Sequence, residues 1–455
     1  MSWLDPDVVA PAEPLAALVR AALERWPPPA EGARVIVAFS GGVDSTVLLA
    51  ALARLKLRAP LRAAHVDHGL HPDSPLWSAH CEATARSLGV ELVTVRVDVE
   101  RRARSGIEAA ARTARYAALA DLLSLGDLLL TAHHGDDQLE TVLLRIVRGS
   151  GVRGLRAIQE RMPFGRGWLA RPLLGCSRAE ILAQARAWDL RWLEDPANSR
   201  LEHDRNFLRA DVVPRLVGRW PAAARSAQRL AEQMADAEQI LTEVAVQDAA
   251  AVADPSRVPR AALEPLDPAR QRNLLRHLLR RAGFDVPSAQ KIEELRAALL
   301  GVRRDAQPRI RWGDVDARVF RDHLYLMHAL PTASVRGFAT RLDKARRWTG
   351  PEGELEFEPL GVGLGLPESW LDDGLTLRFR CGGETFKPLA QAHHRSLKHW
   401  LQEAAIVPWM RARIPLLYRH DDLVAVGDLW LADETRAAGD ERRWRVVWSR
   451  HPPLT

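Results

Sequence analysis

The amino-acid sequence predicts an α/β fold: an N-terminal doubly wound parallel sheet, then a helical domain and a small α+β C-terminal domain. Three observations carry this. Short apolar runs alternate with helix-patterned stretches over the first half of the chain. Polar clusters stand where those runs end, which is where such sheets bind ligands. From residue 206 the pattern turns helical, and later strand-like again.

Arg34–Phe39 opens the series. Its Val-Ile-Val-Ala-Phe core is apolar throughout, as a strand covered on both faces must be. Asp44–Leu55 follows, with Val47, Leu48, Ala51, Leu52 and Leu55 at helical spacing. Further strand runs lie at Leu61–Val66, Glu91–Val97 and Asp127–Thr131, with helical patterns between them at Ser74–Leu88 and Glu108–Leu125. The polar clusters are Ser40–Ser45 after the first strand, His65–His71 after the second and His133–Glu140 after the fourth. Pro221–Ala251 has no interior glycine or proline and predicts one long helix; Arg270–Arg281 and Ala289–Leu299 are further amphipathic segments. Strand-like patches follow at Ile310–Trp312, Ala317–Phe320 and Leu324–Met327. Leu375–Arg380 opens the last domain, which has a helix at Ser396–Glu403 and strands near Leu423–Gly427 and Trp444–Trp448. The expected division is an N-terminal extension at 1–30, a catalytic α/β domain at 31–216, and a mainly helical domain at 217–330. A linker or peripheral strands occupy 331–374, and the α+β domain 375–455.

Bulk properties bound the function. A chain of 455 residues exceeds one ordinary core, so two or three domains are expected. Apolar residues at 47% and charged residues at 27% read as globular and soluble. No apolar run approaches the ~20 residues of a membrane span. The first thirty residues carry Asp5, Asp7 and Glu13 and lack the basic start of a signal peptide, so a cytoplasmic protein is expected. Cys81, Cys176 and Cys381 lie far apart and form no CxxC pair, which argues against a disulfide framework and a structural zinc site. The net charge is +6, and only 5 of the 64 basic residues are lysines. Coding bias toward arginine and a polyanionic partner both fit, since guanidinium forks match phosphate.

Ser40-Gly41-Gly42-Val43-Asp44-Ser45 joins a strand to a helix. Two glycines let the backbone turn sharply and approach an oxyanion. The first N–H groups of the helix and its positive dipole end attract phosphate. Ser40 and Ser45 add hydroxyls, whereas the Asp44 carboxylate would repel phosphate unless a cation such as Mg²⁺ lay between. An ordinary strand-to-helix turn with an acidic first residue is the bland reading. No GxxxxGK followed by Ser or Thr occurs, which argues against transfer of the γ-phosphate and fits a grip on pyrophosphate as leaving group.

The SGGVDS loop resembles that of the PP-loop ATP pyrophosphatases, whose members adenylylate a carbonyl-type oxygen before a nitrogen or sulfur nucleophile displaces AMP. Further segments resemble one branch of that group, the tRNA(Ile)-lysidine synthases. They are His65-Val-Asp-His-Gly-Leu-His71, Glu108 to Tyr116 with Arg112 and Arg115, and Thr131 to Leu144 with His133, Asp136, Asp137 and Glu140. Asp195-Pro-Ala-Asn198-Ser, followed by Arg205-Asn206-Phe-Leu-Arg209 and Pro214, resembles the end of their catalytic domain. Phe386-Lys387-Pro and His394-Arg395-Ser-Leu-Lys398 resemble their last domain. The resemblance spans most of 34–445 and is weakest over about 215–370.

The resemblance implies a Rossmann-like PP-loop domain and an enzyme that joins free L-lysine to the first anticodon cytidine of a tRNA(Ile) with a CAU anticodon. ATP is consumed with Mg²⁺, and AMP and pyrophosphate are released. It implies ATP binding by Ser40, Gly41, Gly42, Val43, Asp44, Ser45, His65 and His133, with Asp44 on the metal. It implies lysine binding by Asp137, Glu140 and Asn198, and catalysis by Asp44, Arg112, Asp137, Glu140 and Arg205. Contacts to tRNA fall to Arg115, Lys387, Arg395 and Lys398. His133 is a candidate base for the second step. The sequence leaves a homodimer open and gives no sign of a membrane partner. Bland readings stand beside these: the acids of 136–140 as a solvated helix start, Arg112 and Arg115 as surface partners of Glu108, and Trp400 and Trp409 as core. A tRNA thiolase fed by an external sulfur carrier, and a non-catalytic nucleotide- and tRNA-binding module, are the rival functions.

Overall fold

A computed structural model describes residues 3–4, 13–28, 30–99, 107–194, 204–301, 307–331, 337–342, 346–360, 364–436 and 442–454. Asn198 and its segment 195–199 lie outside the described residues. The chain forms two compact units, divided between Leu241 and Thr242.

The first unit runs α1 (Pro14–Glu24), β1 (Val35–Ala38), α2 (Val43–Leu55), β2 (Leu61–Asp67), α3 (Ser74–Ser87), β3 (Glu91–Arg96), α4 (Ile107–Asp121) and β4 (Leu128–Leu130). It continues with α5 (Gly135–Val147), α6 (Val152–Leu155), β5 (Arg161–Phe164), β6 (Gly167–Ala170), α7 (Arg178–Ala187), α8 (Asp204–Phe207), a π turn (Leu208–Val212), α9 (Val213–Arg219) and α10 (Ala223–Asp248). The strands form one sheet in the order β3-β2-β1-β4-β6-β5. All are parallel except β5, which returns antiparallel along β6. Successive side chains of β1 point to opposite faces, so each face needs its own cover. Val35 and Val37 pack with Val19 and Leu23 of α1, Leu48 and Leu52 of α2, and Ile181 of α7. Ile36 packs on the other face with Leu129 and with Leu119 and Leu123 near the end of α4. Each fully buried leucine contributes about 1.5–3 kcal/mol relative to exposure. Residues 14–26 thus belong to this core, and the expected extension over 1–30 is in that part a packed helix. Asp127 fixes the far end of the sheet. It accepts from the Arg34 amide at 2.7 Å and from its guanidinium, joining the starts of β1 and β4.

Strand order reverses between β1 and β4, and the crevice at their carboxyl ends is the expected ligand position in such sheets. The loops 39–43 and 131–135 leave the sheet there.

The second unit opens with the end of α10 and a four-stranded antiparallel sheet in the order Arg257–Pro259, His323–His328, Val315–Phe320, Arg309–Trp312. Helices Pro268–Arg281 and Ala289–Leu300 bury Leu274, Leu278, Ile292 and Leu295 against Val319, Leu324 and Leu326. The strand-like patches expected at 310–312, 317–320 and 324–327 are three of this sheet's strands, and Arg257–Pro259, which the sequence did not mark, adds the fourth. Of the two readings of 331–374, a linker or peripheral strands, the described residues take the second. Ala339–Leu342 pairs with Leu375–Phe379, and Gly353–Leu360 pairs with Arg443–Ser449. Leu355 and Phe357 share a core with Val446 and Trp448. The alternation of acidic and apolar residues over 352–358 is that of a strand with one face in this core.

Candidate active site

Two βα turns meet at the switch point. At the first, Gly41 takes φ +79°, and a Cβ there would stand 3.0 Å from Cys81 Sγ, so glycine is required on both counts. Gly42 starts α2, and the hydroxyls fold inward. Ser45 donates to the Gly42 carbonyl at 3.0 Å, Thr46 donates to the same carbonyl at 2.9 Å, and the Ser40 and Ser45 oxygens lie 3.1 Å apart. Leu193 N–H donates to the Gly41 carbonyl at 2.9 Å, tying the loop to the end of the domain. His65, at the end of β2, is buried with Nδ1 3.0 Å from the Phe39 carbonyl. Nδ1 must therefore carry the proton, and the ring braces the backbone just before the loop.

Asp44 lies in the first turn of α2, and its Oδ1 is buried with no hydrogen-bond partner. Burial raises its carboxyl above the ordinary range, against the opposing pull of His134 and Arg178. An ionised carboxylate with an unsatisfied buried oxygen is costly without a cation.

The second turn supplies that neighbourhood. Gly135 begins α5, and its N–H donates to the Cys176 carbonyl at 2.7 Å; a Cβ there would meet that carbonyl at 2.9 Å. His134 faces three carboxylates: Asp137 at 3.5 Å, Asp136 at 3.5 Å and Asp44 at 3.8 Å. Burial alone would depress its pKa, but Asp137, Asp136 and Asp44 outweigh it and hold it above the ordinary value. The adjacent ring behaves oppositely. Burial pushes His133 down to about 3, with Arg171, Arg205 and Arg112 adding to the effect. Its Nδ1 lies 2.9 Å from the Thr131 hydroxyl. An imidazole held this low is uncharged near neutrality.

Asp137 and Glu140 share a face of α5, as their spacing predicts. Both are buried. Arg205 of α8 and Arg209 of the π turn after it, four apart, project together onto that face. Arg205 donates to Asp137 at 3.0 Å and Glu140 at 2.8 Å; Arg209 donates to Asp137 at 2.8 Å and Glu140 at 2.8 Å. Against the penalty of burial, His134 and the arginines hold Asp137 down to about 2. The sequence reading gave this face to substrate ammonium groups; in the folded chain two of its own guanidiniums stand there. His134 and Arg209 were missed as site residues. The signal for Arg209 was present, because an i, i+4 arginine pair matches an i, i+3 acidic pair.

Arg112 and Arg115 of α4 lie beside Tyr116, with Arg112 Cζ 4.9 Å and Arg115 Cζ 5.9 Å from its ring centre. The buried Arg171, just after β6, donates to the Gln159 carbonyl at 2.5 Å, and Tyr116 is part of its electrostatic surroundings. In the second unit, Lys387 donates to Asp433 at 2.8 Å, Arg395 lies 3.8 Å from Glu403, and Lys398 is exposed. Trp400 is core, with its indole donating to the Phe386 carbonyl at 2.9 Å.

Burial raises both Cys81 and Cys176 to about 12, which denies them thiolate chemistry. Among the described residues no group of three or more His, Cys, Asp or Glu side chains is placed to hold a metal. No described helix is long and apolar enough to cross a membrane.

Comparison with known proteins matches three family models: a PP-loop domain over 15–216, a TilS substrate binding domain over 259–325 and a TilS substrate C-terminal domain over 375–448. The tRNA(Ile)-lysidine synthase of Alkalilimnicola ehrlichii is 40% identical over 432 residues, covering 92% of this chain and 94% of its own. That of Methylococcus capsulatus is 37% identical over 435 residues, covering 92% and 97%. That of Xanthomonas campestris pv. campestris is 40% identical over 402 residues, covering 87% and 90%.

Proposed function

The chain belongs to the tRNA(Ile)-lysidine synthase family, ligases that form a carbon–nitrogen bond, and on that premise we propose how its residues perform the reaction. The C2 oxygen of the first anticodon cytidine of a CAU-bearing tRNA(Ile) attacks the α-phosphate of ATP, releasing pyrophosphate. The lysine ε-amine then attacks C2, forms the new bond and expels AMP.

The unsatisfied, buried Asp44 Oδ1 at the switch point carries this reading. Asp44 fits a Mg²⁺ that takes most of its ligands from phosphate and water, as that ion usually does. Such an ion would offset charge between Asp44 and the phosphates. The amides of residues 41–45 bind the pyrophosphate half at the start of α2. His65 braces the loop, and neutral His133 borders the nucleotide without bringing a second charge. Asp137 and Glu140 orient Arg205 and Arg209, and Arg112 adds positive charge where the transferring phosphoryl accumulates it. The α-ammonium of lysine competes with Arg205 for Asp137, with Asn198 as a further lysine contact. Arg115, Lys387, Arg395 and Lys398 contact the tRNA, and a homodimer is compatible with the reading.

The test is incorporation of labelled lysine into tRNA(Ile) with equal release of AMP and pyrophosphate. Label that never enters tRNA would defeat the substrate assignment. Asp44→Ala is expected to abolish pyrophosphate release while tRNA binding survives; loss of both together would make the loop structural only.

A further inference from the structure

The second unit holds a cavity of about 330 Å³, bordered by Arg309, Arg311, Arg318, Leu330, Trp409 and Arg413. That volume is at the lower end of small-ligand sites. Its arginines are placed by strand geometry. Arg309 and Arg311 are two apart on one strand and share a face, and Arg309 pairs directly with Arg318 on the next. Beneath them lies Asp316, fully buried. It accepts from Arg309 and from Arg318 at 2.7 Å each and stands 3.5 Å from Arg311. Three guanidiniums thus surround one carboxylate. Arg413 stands 3.5 Å from Glu352 and donates to the Pro331 carbonyl. Arg318 lies 5.1 Å from the centre of the Trp409 ring, and the Trp409 indole N–H is buried without a hydrogen-bond partner.

The polar groups facing this cavity are donors in surplus. A ligand with acceptors only and a negative charge satisfies them, and planar arginine forks favour phosphate. Arg309, Arg311 and Arg318 fall in the segment matching the substrate binding domain, whereas Trp409 and Arg413 fall in that matching the substrate C-terminal domain. We propose that this cavity is a phosphate seat that grips one backbone phosphate of the RNA substrate; the assignment rests on the tRNA reading above. Arg311, half-exposed, meets the phosphate at the mouth, and the Trp409 N–H with Arg318 receives it inside.

The experiment uses the full chain. In hydrogen exchange, tRNA(Ile) should slow the amides of 309–312 and 409–413, whereas AMP and inorganic phosphate at millimolar concentration should not. Arg311→Gln should lower tRNA affinity about tenfold, the loss of one charge-assisted hydrogen bond. It should also reduce the slope of log affinity against log salt by about 0.9, one released counterion. Arg311→Lys should restore the slope but not the whole affinity. Affinity and slope unchanged in a folded Arg311→Gln protein overturn the proposal, as does protection by AMP or inorganic phosphate in place of tRNA. A wild-type chain that binds no tRNA sinks the proposed function itself, a separable outcome.

Discussion

Two adjacent histidines in one turn carry opposite perturbations. Burial leaves His133 neutral down to about 3, whereas the carboxylates of Asp137, Asp136 and Asp44 keep His134 protonated above its ordinary 6.5. The signs of their stability effects follow. Unfolded His133 takes up a proton between 6.5 and about 3 that the folded ring refuses, so stability is lost as pH falls through that window. Unfolding in urea at pH 7 down to pH 4 should show a shallower decline for His133→Asn than for wild type; parallel curves would contradict this. His134 acts in the other direction. Its contribution is fully present below 6.5 and is lost as pH rises through its raised folded value, so His134→Asn should flatten the alkaline side of the same profile. Composition and spacing expose both rings equally, and only the direction each takes out of the turn separates them. His133 entered as a candidate through the resemblance of its segment. His134 did not, and its contact with Asp44, from the other turn, needed the fold.

At the scale of elements, α5 and the helix after residue 204 form the site by pairing. Arg209→Ala leaves buried Glu140 with one guanidinium instead of two and should cost about 1–3 kcal/mol in urea unfolding. A double-mutant cycle of Arg209→Ala with Glu140→Gln should show coupling, and strict additivity would mean the pair is inert. Gly135→Ala pushes a methyl toward the Cys176 carbonyl and should cost about 1–3 kcal/mol, with loss of activity as α5 shifts. Strands β1 to β4 and helices α2 to α4 were legible because each is apolar at one clear period; the parallel strand β6 was not, being four residues long and opening on a glycine. The edge strand β5 was not, being four residues long with a proline inside it. The strands between 339 and 360 were legible only as one of two alternatives, a linker or peripheral strands. Charges within them, such as Arg347 paired across to Glu356, dilute the apolar signal. The site was legible as two loops and an acidic helix face, but the guanidiniums closing that face needed the fold.

For the whole molecule, division into two units predicts separable responses. Calorimetry should resolve two transitions, and ATP at one hundred times its dissociation constant should stabilise the one containing residues 1–241 by about 2.7 kcal/mol. A shift of both transitions by ATP would mean that the units unfold as one. RNA binding should respond mainly to salt, since +6 net charge carried by arginine favours phosphate contact.

The π turn at Leu208–Val212 lies in the helix that presents Arg205 and Arg209. Such a turn holds one residue more than an α-helix needs. Deleting a single residue at 210–212 would let the helix continue unbroken, and the rotation of about 100° it removes is the rotation the wider turn had absorbed, so Arg205 would keep its angle to α9. Arg209, inside the turn, would be the side chain that moves, drawn into ordinary α-helical spacing with Arg205. The chain thus carries, in one surplus residue, a point where its length can change by one while the two ends of the helix stay in register.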